Sequence, residues 1–107
     1  MFSHKFSIYV PSTVDVNNAV DNTAAVSDCL AFLSSQFGGA TALAASGAWV
    51  SEAAGLVSES VTICYAFTNL RGLLGRRRAV LDYARKLCKD MQQEAVSVEI
   101  DGRLYFV

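Results

Sequence analysis

At 107 residues, with 52% hydrophobic and 18% charged side chains, the chain can bury one continuous core, is too short for two, and is too apolar to stay disordered. Its formal charge of −1 excludes a uniformly basic nucleic-acid binder. The charges are nevertheless segregated: seven of the nine Lys and Arg residues fall between Arg71 and Lys89, a basic segment on an otherwise mildly acidic body.

Phe2, His4, Phe6, Ile8 and Val10 alternate with Ser3, Lys5, Ser7 and Tyr9, which predicts a strand with one covered face, ended by Pro11. A polar connection rich in Asp and Asn follows. Asn22 or Thr23 then caps a predicted helix whose apolar positions Val26, Cys29, Leu30, Leu33 and Phe37 share a stripe, and Gly38 stops it. Thr41 to Val50 reads as a second strand whose small residues point to close packing, and Ser51 to Gly55 as a returning loop. In the third strand Val57, Val61, Ile63, Tyr65 and Phe67 share one parity, while Ser58, Ser60, Thr62, Cys64 and Ala66 share the other. Glu59 breaks the apolar parity. A second helix, capped by Thr68 or Asn69, carries Leu70, Leu73, Val80, Leu81, Ala84, Leu87, Cys88 and Met91 on one stripe. Glu94 to Ile100 alternates as a strand, Asp101-Gly102 is a two-residue hairpin signal, and Arg103 to Val107 closes the series.

Strand, helix, strand, strand, helix, strand is the βαββαβ order of a ferredoxin-like sandwich, here expected as a single α+β domain over 1–107 with an extra C-terminal hairpin strand. Both helices then lie on one face of an antiparallel sheet, and the other face has no third layer. If the parity of Ser58, Ser60 and Thr62 forms that bare face, it is either wetted or paired with a second copy, with Tyr9, Trp49 or Tyr105 adding adhesive surface. A homo-oligomer, dimer or larger, is expected.

Cys29, Cys64 and Cys88 sit in apolar patterns far apart in sequence, as buried free thiols of a reducing compartment do. The start MFSHKFSIYVPS lacks the apolar run of a signal peptide, and the uncharged span from Cys29 to Ser51 is interrupted by Ser, Gln and Gly. A cytoplasmic protein without membrane association is expected.

The stretches Tyr9-Val10-Pro11-Ser12-Thr13, Phe37-Gly38-Gly39-Ala40-Thr41, Gly47-Ala48-Trp49, and Gln93-Glu94-Ala95 ahead of Leu104-Tyr105-Phe106 resemble those of a small uncharacterised family from bacteria and their mobile elements. The shorter arrangement, a glycine and aromatic after the second strand with Gln-Glu-Ala before the fourth, also looks like a family of small secreted bacterial proteins of unknown role. Neither likeness carries a known activity. The first implies an accessory protein of a phage or plasmid, a context in which many products counter host defences. The segment Arg71 to Arg78 departs from that family's pattern, so roles for its arginines belong to this chain alone.

Gly38 and Gly39 permit close backbone approach to an anion, but they follow a helix and precede a strand, so the helix dipole opposes an anion there and a structural cap is the simpler reading. Ser12 and Thr13, after the first strand, either donate to a ligand or satisfy a turn, and Thr41 opens the second strand beside the glycines. Trp49 offers an indole platform, worth roughly 1–3 kcal/mol if a base stacks on it, or else fills a subunit contact. Arg77 falls on the apolar stripe of the second helix if that helix runs unbroken from Leu70, and there it needs Glu59, a carboxylate of another subunit, or a phosphate. The alternative is that Gly72 and Gly75 break the helix and Arg76, Arg77 and Arg78 are solvated.

With His4 the only histidine, no histidine triad or metal cluster is expected, no cofactor is implied, and no catalytic residue is assigned. Nucleic acid is not expected as a partner either, given a pI of 5.7 and the Asp82 and Asp90 interruptions. The functional expectation is a non-enzymatic binding protein that sequesters a nucleotide-type ligand as a counter-defence product, using Ser12, Thr13, Gly38, Gly39, Thr41, Trp49 and Arg77. The alternatives are an inhibitor that binds a host protein through the bare sheet face, and a small cofactor-free enzyme on a ferredoxin-like dimer.

Overall fold

The computed structural model describes residues 1–14 and 18–107, so Asp15, Val16 and Asn17 of the anticipated polar connection lie outside the described residues. The elements are β1 (His4–Pro11), β2 (Thr13–Val14), β3 (Asn18–Ala19), α1 (Thr23–Phe37), β4 (Thr41–Ser51), β5 (Gly55–Thr68), α2 (Leu70–Asp90), β6 (Ser97–Ile100) and β7 (Arg103–Phe106). The main sheet has the order β4-β5-β1-β6-β7 with every neighbour antiparallel, which is the ferredoxin-like order extended by β7. The small β2–β3 pair was not foreseen.

Register decides which residues meet the helices. Phe6, Ile8 and Val10 of β1 stand opposite Ala66, Cys64 and Thr62 of β5, and the buried core combines this face with Cys29 and Leu33 of α1 and Val80, Ala84 and Leu87 of α2. The anticipated assignment of the bare face is therefore reversed. The small, polar parity of β5 faces the helices, because a helix can approach a sheet closely only over small side chains. Val57, Glu59, Val61, Ile63, Tyr65 and Phe67 face the uncovered side, with Tyr9 opposite Ile63 and Ser7 opposite Tyr65.

Helix α1 begins differently from its sequence signal. Asn22 stands at the cap without a capping bond, and the Asp21 carboxylate instead accepts from the Thr23 N–H at 2.9 Å and from the Thr23 hydroxyl, which holds its pKa below the ordinary carboxylate value. Gly38 ends the helix at φ +88 with its N–H on the Ser34 carbonyl at 2.8 Å, a left-handed cap of the kind that favours glycine.

Helix α2 is unbroken through both glycines, capped by the Asn69 side chain on the Gly72 N–H at 2.9 Å, and the alternative of a break there is set aside. The two glycines are not equivalent. A Cβ on Gly72 would lie 1.8 Å from Thr68 Oγ1 and 3.0 Å from Thr68 Cβ, whereas one on Gly75 would meet nothing within 4 Å. Gly75→Ala is expected to stabilise the protein by about 1 kcal/mol, the usual helix advantage of alanine, while Gly72→Ala destabilises it by pushing the helix off the end of β5. Urea denaturation of the two variants checks the opposite signs.

Two further departures shape the molecule. The expected strand from Glu94 begins only at Ser97, because α2 runs out through a left-handed Gln92 (φ +54) with Gln93 N–H returning to the Cys88 carbonyl at 2.9 Å, and the chain loops before it pairs. And β5 pairs with β1 only from Val61 to Thr68, so the rest of the β4–β5 hairpin is a two-stranded ribbon flanked by no third strand among the described residues. Trp49 (52% exposed) lies on one face of this ribbon, and Val50 (80%) and Leu56 (71%) lie on the other.

Candidate functional site

The bare sheet face is not flat. Past the end of the β1–β6 pairing, the loop from α2 to β6 rises beside β1 and, with β4 and β5, encloses a cleft of about 230 Å³. Its polar lining is Tyr9, Ser46, Glu59, Ser60, Gln93 and Ser97, with Ser46 and Ser60 on the helix-side parity, and Val61 and Ile63 supply apolar wall. Among the described residues Glu59 is the one carboxylate in the lining, and it stands opposite Gly47, where the absence of a side chain keeps the cleft open. Among the described residues Glu59 forms no ion pair.

The wall is held by Gln93, whose Nε2 donates to the Thr13 carbonyl at 2.8 Å and the Met91 carbonyl at 3.1 Å. That commits the amide nitrogen to structure and leaves the carbonyl end to accept. Cys88 Sγ donates to the main-chain carbonyl of Gln93 at 3.1 Å, tying the loop back onto α2. On the next strand Glu99 accepts from Ser7 Oγ at 2.9 Å and from the Gly102 N–H at 2.6 Å; burial works to raise its pKa, but these bonds and the Lys5 charge outweigh it and hold the group below the ordinary 4.5. Glu99 is thus a fixed anion of the hairpin rather than a free acid.

The sequence-derived site residues are not brought together. Ser12 donates to the Ser60 carbonyl, and Thr13 reaches the cleft only through Gln93. Gly38, Gly39 and Thr41 line a separate aromatic depression with Phe2, Phe37, Tyr65 and Phe67. Trp49 sits on the projecting ribbon at one sheet edge, and Arg77 lies on the helix side at the opposite edge, its guanidinium 5.0 Å from the centre of the Tyr105 ring. Arg77 thus finds a cation–π partner where Glu59 or a phosphate was anticipated, since Glu59 faces away on the other side of the sheet. The cleft residues Tyr9, Glu59, Gln93 and Ser97 were not nominated. The available signal was Glu59 itself, a lone charge within the apolar parity of a strand.

Among the described residues no group of three His, Cys, Asp or Glu side chains is placed to hold a metal ion, and no helix is long and apolar enough to cross a membrane. The three thiols are free. The Cys64 thiol beside Cys29, and then burial, push the Cys29 thiol far up, so it is inert rather than nucleophilic. Tyr83, hydrogen-bonded to Asp28, is likewise pushed up, chiefly by burial.

No family model matches the chain, and no curated protein matches it. Two solved structures share its fold. One is a phage SAM lyase in complex with S-methyl-5'-thioadenosine, 22% identical over 97% of this chain and 88% of that chain, with a TM-score of 0.66. The other is a phage SAM lyase in the apo state, 17% identical over 99% of this chain and 89% of that one, with a TM-score of 0.64. The expectation of a non-enzymatic, nucleotide-sequestering protein is corrected by this finding, because both fold neighbours are structures of an enzyme. The residues nominated for such sequestration are also the ones the fold disperses.

Proposed function

We propose that the chain is a lyase acting on S-adenosylmethionine (SAM) in the cleft beside Glu59. The observation that carries this reading is the coincidence of a fold shared along nearly the whole chain with a phage SAM lyase and a cleft whose chemistry suits a sulfonium substrate. SAM presents a sulfonium and an ammonium, both cationic, and Glu59 supplies the opposing charge. Tyr9, Ser97 and the side-chain carbonyl of Gln93 offer hydrogen bonds to a nucleoside, and Val61 and Ile63 offer apolar surface to the carbons around the sulfur.

Release of S-methyl-5'-thioadenosine requires cleavage of the bond between sulfur and the amino-acid chain. The bonding pair stays on sulfur, and the sulfonium becomes a neutral thioether. The carbon that loses sulfur takes a new pair either from the substrate's own carboxylate, closing a lactone, or from an adjacent C–H bond whose proton passes to a base, leaving an alkene. The first route neutralises two charges at once, and an apolar wall that excludes water favours it.

The cleft of about 230 Å³ falls below the roughly 300–1,000 Å³ of sites that bury a small ligand, so one protomer leaves SAM partly exposed. A second copy docked on the bare face closes it. The solitary ribbon and the apolar residues on both its faces support the same homo-oligomer, because a two-stranded hairpin is marginal without a partner. We take the cytoplasm as its compartment, which the free thiols favour, and depletion of a host's methyl donor as the counter-defence role that phage relatives of the fold and the mobile-element motifs support.

Incubation of the purified protein with SAM, followed by liquid chromatography and mass spectrometry, tests the reading. Stoichiometric S-methyl-5'-thioadenosine with a four-carbon amino-acid product is expected, the product itself telling lactone from alkene. Folded protein that leaves SAM intact removes the proposal.

A further inference from the structure

The arginine run plays no part in the cleft, yet the fold gives two arginines a site of their own. Residues 103 and 105 of β7 share the face toward the helices, because Arg103 pairs with the buried Ile100 and Tyr105 with the buried Val98. The unbroken α2 lays Arg77 over Tyr105, its guanidinium 5.0 Å from the ring centre. Between the first half of α2 and the β6–β7 hairpin these groups enclose a depression of about 340 Å³, with Leu73 and Ile100 as apolar floor and Leu74 at the rim.

We propose that this depression is a second ligand site, taking a small organic oxyanion whose charged head lies between Arg77 and Arg103 and whose apolar body rests on Leu73 and Leu74. Three observations converge on it. Among the described residues, neither guanidinium forms an ion pair with a carboxylate. The one carboxylate among the described residues of the lining, Asp101, is already taken by His4 Nδ1 at 2.6 Å and the Lys5 N–H at 2.8 Å. And Arg77, first as a hydrogen-bond donor to the phenol and then through its charge, with Arg103 behind it, draws Tyr105 below its ordinary pKa of 10.0, so both cations favour an anion at this place. Two guanidinium forks present donors in the plane that carboxylates and phosphates accept, so an oxyanion completes bonds the protein leaves open. A cation–π contact orients Arg77 without neutralising it, leaving its charge for a ligand. The location is the helix side of the far sheet edge, so the site is separate from the cleft and independent of the reading proposed for it.

Benzoate and phenyl phosphate share one apolar body and differ in the head, which makes them the probes. In a two-dimensional amide NMR titration at ionic strength fixed with sodium chloride, saturable shifts are expected at Leu74, Arg77, Arg103 and Tyr105 and not at Glu59. A response to benzoate alone assigns a carboxylate ligand, to phenyl phosphate alone a phosphate monoester, and to both a general oxyanion site. Arg103→Gln, an exposed position that folding tolerates, is expected to weaken binding about tenfold or more, with Arg103→Lys between the two because it keeps the charge and loses the fork. Shifts that never saturate, that centre elsewhere, or that are equal in the wild type and Arg103→Gln overturn the proposal. Loss of SAM cleavage with these shifts intact would strike only the cleft reading.

Discussion

Glu59→Gln is expected to lower kcat/KM for S-methyl-5'-thioadenosine release by about 30-fold to several thousandfold, the equivalent of ~2–5 kcal/mol for removing one partner of a desolvated charge pair. Stability should barely move. Glu59 is exposed and makes no ion pair among the described residues, and glutamine keeps its volume and one acceptor, so the change in unfolding free energy should stay within about 0.5 kcal/mol. The division between KM and kcat identifies which cation the carboxylate faces. The sulfonium loses its charge as the C–S bond breaks, so a carboxylate against sulfur stabilises the bound substrate more than the transition state. Its removal would raise both KM and kcat. The ammonium keeps its charge throughout, and a carboxylate against it stabilises both states alike, so KM again carries the loss with kcat unchanged. A fall in kcat at unchanged KM would instead make Glu59 a proton acceptor for the alkene route. Steady-state kinetics of product release separate these cases, and a variant identical to the wild type in both constants would remove Glu59 from the site.

What the sequence discloses stops where two periodicities are equally satisfied. The alternation in β5 is plain, and the order of elements with the Gly38 cap, the Asp101-Gly102 turn and the α2 stripe leads to the sheet order observed. Alternation alone does not say which parity meets the helices, and hydrophobicity points the wrong way here. The larger apolar set of β5 is turned out, and the small set is turned in, because the volume between sheet and helices is already filled by Phe6, Ile8, Leu33 and Val80. The same reversal hid the site. Glu59 reads as a flaw in an apolar face when that face is taken as core, and as a functional charge once the face is seen to be uncovered. Arg77 failed differently. Its place on the α2 stripe was legible, but its partner Tyr105 lies on a strand 28 positions later in sequence, and only the register of β6 with β7 brings the ring beneath it. Gln93 was obscured because nothing in the sequence says that the loop before β6 rises beside β1, and Ser97 because the parity that puts it on the bare face of β6 is legible only once that face is known to be uncovered.

Leu43→Asp is expected to separate the proposed oligomer into protomers and to abolish the proposed SAM cleavage with it. Leu43 lies on the bare face of β4 opposite Ile63 and is 56% exposed, so in a lone protomer the new carboxylate is solvated and costs little. Buried against a second copy it becomes an unpaired charge in an apolar contact, and the effective penalty is several kcal/mol per ion, incurred by every subunit that presents it. Leu70→Asp is the matched control: it is equally exposed at 57%, but it lies at the start of α2 in the helix layer, where a carboxylate suits the helix dipole and no second copy is called for. Sedimentation velocity should show the protomer mass for Leu43→Asp and the assembled mass for both the wild type and Leu70→Asp. The link to catalysis follows from cleft size. A site too small to enclose its substrate within one protomer leaves the sulfonium in water, where attraction to Glu59 is screened and charge-neutralising cleavage gains nothing from its surroundings. Assembly and activity should therefore fall together in Leu43→Asp. A variant that is monomeric yet fully active would show that one protomer's cleft suffices, and one that remains assembled would show that the bare face is not where copies meet.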